Sequence, residues 1–300
     1  MRTLVIFLVI ILEQVGLGSL ISVQPVNVNY QSSSLAMGAS YLSEIKPSLY
    51  KIGEADAPNV SSRSYLVLDK NTNNILAEKD SDISIPMASL TKIMSAVIVL
   101  ENTDLENTLV VSKNAVSAYG EGIDLRAGET LTVRDVLYAA LLSSSNDACV
   151  ALAEGVSESE DKFVELMNKK AQDLGLSKTH FTNSAGLDDP KHLSNVKDLA
   201  RLTRYALLNE TFAEIVSTKE KLITSAEGIN HYLRNTNKLL GTIEGVFGVK
   251  TGLTGEAGEC LVTLVEREES SIIVVTLGSE DRFSDTKNLI NWVYQNFTFK

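Results

Sequence analysis

Residues 85–94 read Ile85-Pro86-Met87-Ala88-Ser89-Leu90-Thr91-Lys92-Ile93-Met94, and the reading of the fold starts from them. Pro86 precedes apolar residues at Ile93, Ala96, Val97 and Leu100, a spacing that predicts a helix opening just after the proline. Ser89 and Lys92 stand three apart at its head, so their side chains share one face and lie in reach of each other. A serine hydroxyl is a weak nucleophile until a neighbouring base takes its proton. A lysine becomes that base when burial or nearby positive charge lowers its pKa. Taken singly, the pair is also what a helix-start serine beside a solvated lysine would give.

Upstream of this helix, residues 64–69 (SYLVLD) and 74–78 (NILAE) flank Lys70-Asn71-Thr72-Asn73 and read as a β-hairpin. Downstream, residues 112–214 are helix-rich. Thr132-Val133-Arg134-Asp135 resembles a capping box opening a helix over 136–142, and further helices are expected at 147–154 and 160–174. Strands return at 248–251, 260–267 and 271–277, the last two joined by a turn at Glu268-Glu269. An amphipathic helix carrying Leu289, Ile290, Trp292, Val293 and Phe297 closes the chain. Strands from both chain ends around a helical block predict an α+β class: one antiparallel sheet flanked by helices, with an inserted helical subdomain.

Two more short stretches carry polar chemistry. Ser144-Ser145-Asn146 falls in a break between two apolar helices, where a hydroxyl relays a proton and an amide holds a peptide group. Lys250-Thr251-Gly252 ends a strand, where a cation, a hydroxyl and a residue without a side chain make an edge for a carboxylate and an added peptide strand. A helix-connecting turn and an exposed strand end would explain each of these alone. The order of the three stretches and their contexts are far more specific than any one of them.

Together they resemble the D-alanyl-D-alanine carboxypeptidase family of low-molecular-mass penicillin-binding proteins, which share these three motifs with class A β-lactamases. The likeness also takes in Gly128-Glu129 with Thr132-Val133, residues 141–148 (LLSSSNDA) and residues 183–188 with His192 and Asp198. It resumes in residues 245–252 (GVFGVKTG), Ala257-Gly258 and residues 274–278 (VVTLG), so that nearly all of 64–297 is covered. The resemblance implies that Ser89 attacks the carbonyl between two terminal D-alanines while Lys92 accepts its proton and Ser144 passes it to the leaving amine. It further implies that Asn146 holds the substrate backbone and that Lys250 and Thr251, beside Gly252, bind the terminal carboxylate. The N–H groups of Ser89 and Leu253 would form the oxyanion hole. Two residues depart from the family pattern: Ser145 where relatives often have glycine, and Leu253 where many have histidine or threonine. Neither removes a group that the mechanism needs. Arg282 is a candidate to assist Lys250 at the carboxylate, though a solvated side chain is the expectation.

The implied partners are peptidoglycan stem peptides ending in D-Ala-D-Ala, with β-lactams as covalent inhibitors and no cofactor or metal. A D,D-endopeptidase that cuts peptide cross-links is the alternative, for which a chain expected to end at its closing helix, without the extra β domain and C-terminal anchor of many relatives, leaves room. A β-lactamase requires a glutamate in an E-x-x-L-N loop, where this chain reads Asp188-Asp189-Pro190-Lys191-His192-Leu193-Ser194-Asn195. A non-catalytic penicillin-binding or sensor domain would not need an activated nucleophile. No G-x-S-x-G elbow supports a Ser-His-Asp hydrolase.

Composition narrows the class further. The chain has 300 residues, 44% of them hydrophobic, and a net charge of -11, which argues against nucleic acid as a partner. Residues 1–12 (MRTLVIFLVIIL) place one basic residue before an apolar run that ends at Glu13, shorter than the roughly 20 residues of a membrane span. Residues 1–22 are therefore expected to be a signal peptide or an uncleaved N-terminal anchor, 23–58 a polar linker, and 59–300 the catalytic domain. Either leader sends the domain out of the cytoplasm, with the membrane touched only through the N-terminus. Cys149 and Cys260 form no C-x-x-C pattern, which leaves two thiols or one long-range bridge open. His180, His192 and His231 are too scattered to suggest metal ligands.

Overall fold

The computed structural model describes residues 49–299. The leader and most of the polar linker lie outside the described residues. In chain order the elements are β1 (Leu49–Lys51), β2 (Ser64–Asp69), β3 (Ile75–Lys79), β4 (Ile85–Pro86), α1 (Lys92–Asn102), β5 (Thr108–Val110), α2 (Lys113–Val116) and β6 (Thr130–Thr132). They continue with α3 (Val133–Leu142), α4 (Asn146–Ser157), α5 (Glu160–Asp173), β7 (Leu193–Ser194), α6 (Val196–Ala206) and α7 (Glu210–Ser217). The last are β8 (Glu220–Thr224), β9 (Asn230–Arg234), β10 (Val246–Thr254), β11 (Gly258–Arg267), β12 (Ser270–Ser279), α8 (Arg282–Asn296) and β13 (Phe297–Phe299).

One five-stranded antiparallel sheet, in the order β10-β11-β12-β2-β3, divides two cores. Strand residues alternate between its faces. Tyr65 and Val67 of β2 join Leu261, Val265, Ile272 and Val274 against Leu289, Ile290 and Val293 of α8. Leu66 and Leu68 point the other way, with Val262, Leu264, Ile273 and Val275, into the larger core around α1 and α6. Both faces are covered, which is why β11 and β12 read as nearly unbroken apolar runs. The architecture is α+β, with the helical block between β3 and β10 packed on one face.

Helix starts follow their capping residues. Thr132 Oγ1 accepts from Asp135 N–H at 3.1 Å to open α3, and Ser159 accepts from Lys162 N–H to open α5. Three expectations need correction. Phe297 leaves the closing helix and begins β13, which pairs with β1 in the register Lys51↔Phe297. The part of the linker in view is docked: beyond β1, Ile52 and Gly53 donate to Asn296 O, and Trp292 Nε1 donates to Ala55 O. The β8–β9 hairpin, with Ile223, His231 and Leu233 buried, was not anticipated between the helical block and β10. Among the described residues no helix is long and apolar enough to cross a membrane.

Candidate active site

Ser89 lies in a 3-10 turn, Ala88–Thr91, that runs straight into α1. Ala88 takes φ +48, a left-handed conformation that costs a non-glycine residue about 1–2 kcal/mol. Its surroundings hold it there. Thr91 Oγ1 donates to Ala88 O at 2.8 Å and accepts from His192 Nε2 at 2.7 Å, while Nδ1 of that ring accepts from Thr182 N–H at 3.0 Å. Those partners fix the neutral tautomer with the proton on Nε2. Burial agrees with them, lowering the His192 pKa to about 4.

Two glycines let neighbouring backbone press on this turn. A Cβ at Gly186 (φ +93) would stand 2.0 Å from Ala88 O, and one at Gly252 would stand 3.1 Å from Ser89 N. Only a bare backbone fits at the first position, and it is what brings the 183–188 loop against Ser89. That loop is braced from within and from behind. Asn183 Oδ1 accepts the N–H groups of Ala185, Gly186 and Leu187, while Glu160 Oε1 accepts from both N–H and Oγ of Ser184.

Lys92 is fully buried, and its Nζ has three partners: Ser89 Oγ at 2.8 Å, Asn146 Oδ1 at 2.7 Å and Ala185 O at 2.8 Å. Desolvation pulls its pKa below the usual lysine value, and the charges of Glu121 and Asp147 oppose that only in part. Asn146 is the first residue of α4. Its Nδ2 donates to Tyr119 O at 2.8 Å, which turns Oδ1 toward Lys92. The amide oxygen thus positions the lysine, while Nδ2, with a second N–H beyond the one given to Tyr119, borders the cleft where a substrate peptide would lie. Ser144, just before it, has φ +61, and among the described residues its hydroxyl has no hydrogen-bond partner. Ser145 takes a different part: it caps α4, accepting from Ala148 N–H.

These groups meet in a cleft of about 600 Å³ bordered by Ser89, Ser144, Thr236, Thr251, Leu253 and Arg282. Lys250 is brought to the same place but from behind. It is 1% exposed, its ammonium donates to Thr251 O at 3.1 Å, and burial together with the Lys92 charge pushes its pKa well down. Two residues not assigned from the sequence share the wall. Thr236 Oγ1 lies 2.6 Å from Thr251 Oγ1, and Arg282 donates to Gly252 O at 2.7 Å. Arg282 is packed at the cleft, against the expectation of a solvated side chain, because α8 starts beside the end of β10. For Thr236 the only signal was proximity after folding, whereas Arg282 had a loose alignment with the family as well. Cys149 and Cys260 are buried as free thiols, and desolvation raises Cys149 to about 11, so it is no rival nucleophile.

The D-alanyl-D-alanine carboxypeptidase DacF of Bacillus subtilis is 33% identical over 244 residues, which are 79% of this chain and 63% of DacF, so the chain spans less than two thirds of that relative. The D-alanyl-D-alanine endopeptidase of Pseudomonas aeruginosa is 33% identical over 78% of this chain and 77% of its own length. The crystal structure of the DD-transpeptidase of Streptomyces K15 superposes with a TM-score of 0.76 at 30% identity, covering 80% of this chain and all of that one. Residues 52–281 match the family described as D-alanyl-D-alanine carboxypeptidase. Matched over more than two thirds of its length and 33% identical to DacF and to the endopeptidase, the chain belongs to the D-alanyl-D-alanine carboxypeptidase family.

Proposed function

We propose that the chain is a serine-type D-Ala-D-Ala carboxypeptidase that trims peptidoglycan stem peptides through an acyl-enzyme on Ser89. The observation that carries this reading is the Lys92 amine, buried between two carbonyl oxygens with Ser89 Oγ 2.8 Å away. A neutral amine has two N–H bonds and one lone pair. Asn146 Oδ1 and Ala185 O take the two hydrogens, which leaves the lone pair for the Ser89 proton.

The Ser89 oxygen then bonds to the scissile carbonyl carbon, and the displaced electron pair moves to the carbonyl oxygen, received by the N–H groups of Ser89 and Leu253. As the C–N bond breaks, Ser144 relays the proton from Lys92 to the departing amine of D-alanine. Water, deprotonated by the same lysine, later cleaves the ester. Thr251 and Arg282 receive the terminal carboxylate, with Gly252 lending the strand edge and Lys250 set directly behind Thr251. β-Lactams enter by the same route.

The substrate class puts the enzyme at the extracytoplasmic face of the cell membrane, in the periplasm or in the cell wall, exported by its N-terminal segment. The test is to incubate the protein with a stem pentapeptide and with cross-linked muropeptides and to identify the products by mass. Release of D-alanine, abolished by Ser89→Ala, is expected. Intact substrates with the unaltered protein would refute the reading.

A further inference from the structure

The cleft does not end at Thr236 and Arg282. Both residues also border a second depression, of about 690 Å³, so the two spaces share a wall. The β8–β9 hairpin builds one side of it: Arg234 pairs across the ladder with Glu220, and Asn235 N–H donates to Lys219 O at 2.8 Å, which sets Lys219 and Arg234 at the hairpin's open end. Lys238, on the connection to β10, and Arg282, at the start of α8, complete the lining. Four cations thus line the depression with one carboxylate, Glu220, in a chain whose net charge is -11, and of the four Arg282 is also 3.9 Å from Glu259. Arg234 Nε is 3.6 Å from Glu220 Oε1, and among the described residues Lys219 and Lys238 make no ion pair. Such a concave, cationic surface favours an anionic occupant.

Its place relative to the chemistry says which part of a substrate arrives there. In the peptidase reading the leaving group lies on the Thr251–Arg282 side of Ser89, because those residues take its carboxylate. A substrate that ended with one D-alanine would stop at that wall and leave the second depression unused. We propose that this depression is a subsite for an acidic leaving strand: a D-amino acid whose side chain continues into a second peptide bearing carboxylates, as in a cross-linked substrate. This inference rests on the peptidase reading and assigns Lys219, Arg234 and Lys238 to substrate selection. None of the three takes part in the chemical steps.

The test compares hydrolysis of synthetic peptides with one acyl part ending in D-alanine and different leaving groups. One leaves D-alanine, one leaves D-lysine with a diglutamyl group on its side-chain amine, and one leaves the neutral diglutaminyl counterpart. The diglutamyl peptide should exceed the diglutaminyl one in kcat/KM by about tenfold, the scale of a charge-assisted contact, with the preference shrinking as salt is raised. The double variant Lys219→Glu, Lys238→Glu should erase that preference while releasing D-alanine at the unaltered rate, which also reports that it is folded. Equal kcat/KM for the two extended peptides, or a loss in the variant that is the same for all three, would overturn the subsite. Turnover of none of the peptides together with no penicillin adduct on Ser89 would overturn the peptidase reading itself, and the subsite with it.

Discussion

At the scale of single residues, the site depends on which nitrogen carries a proton. Lys92 works as a base only when neutral, and its burial lowers the pKa so that this form is reached below the ordinary lysine value near 10.5. The rate of acylation by a penicillin should therefore rise with pH along a limb whose midpoint lies below that value. Lys92→Arg keeps the charge but cannot give up the proton, so acylation should fall by about 10²–10⁴-fold. Stopped-flow measurement within tenfold of the unaltered rate would take Lys92 out of the role. His192 has the opposite task, to stay neutral and steady the nucleophile turn. Its folded pKa of about 4 lies below the ordinary histidine value of 6.5, so the unfolded chain binds a proton first as pH falls, and stability declines from about pH 6.5 toward 4. Between pH 7 and pH 5 this amounts to about 2 kcal/mol. Denaturant titrations at the two pH values should find that loss in the unaltered protein and not in His192→Gln.

Elements meet at the site through glycine backbone, and the consequence is measurable. Gly186→Ala drives a methyl group into Ala88 O at a φ that disfavours any side chain, so the variant should lose more than about 1 kcal/mol of stability and at least tenfold in acylation rate. Normal acylation by Gly186→Ala, followed by penicillin labelling, would show that the loop does not hold the nucleophile turn. The same contacts explain what could be read in advance. Helices with a capping residue and a clear apolar stripe, such as α3, α4 and α5, were legible to within a few residues, as were β11 and β12 with their unbroken apolar runs. The β8–β9 hairpin was not, because Leu222 and Tyr232 on its outer face are exposed apolar residues that blur the alternation. Ser89, Lys92, Ser144 and Lys250 were legible because local spacing and order carry them. Thr236 and the bracing of Ser184 by Glu160 were not, and Arg282 only loosely, since each depends on elements that meet only in the folded chain. The burial of Lys250 behind Thr251 was likewise invisible: a strand's alternation says which residues face inward, but not that the cleft wall would be one residue away.

Across the whole molecule, the question is how fast the acyl-enzyme is released, and that depends on which carboxylates can reach a water at Ser89. A β-lactam offers its strained amide to Ser89 as the terminal peptide bond does, so ring opening follows the same path through Lys92. The amine then stays tethered in the cleft and obstructs the approach of water. Fast hydrolysis would require a second, free base beside the ester. Asp188, on the loop next to Ser89, is committed elsewhere: Oδ1 accepts from Thr254 Oγ1 at 2.6 Å and Oδ2 from Glu256 N–H at 3.3 Å, tying the loop to the end of β10. Glu160 is spent on Ser184, and Glu121 stands exposed at the cleft border. Asp188 and Glu160 thus serve to hold the walls together, and among the described residues Glu121 is the cleft-lining carboxylate that makes no side-chain hydrogen bond. Intact-protein mass spectrometry after brief penicillin treatment should find one adduct, on the peptide containing Ser89, that lasts minutes or longer. Repeated hydrolysis of the β-lactam with no accumulated adduct would mean that one of these carboxylates is free to activate water, and the assignment as a peptidase would give way to a β-lactamase.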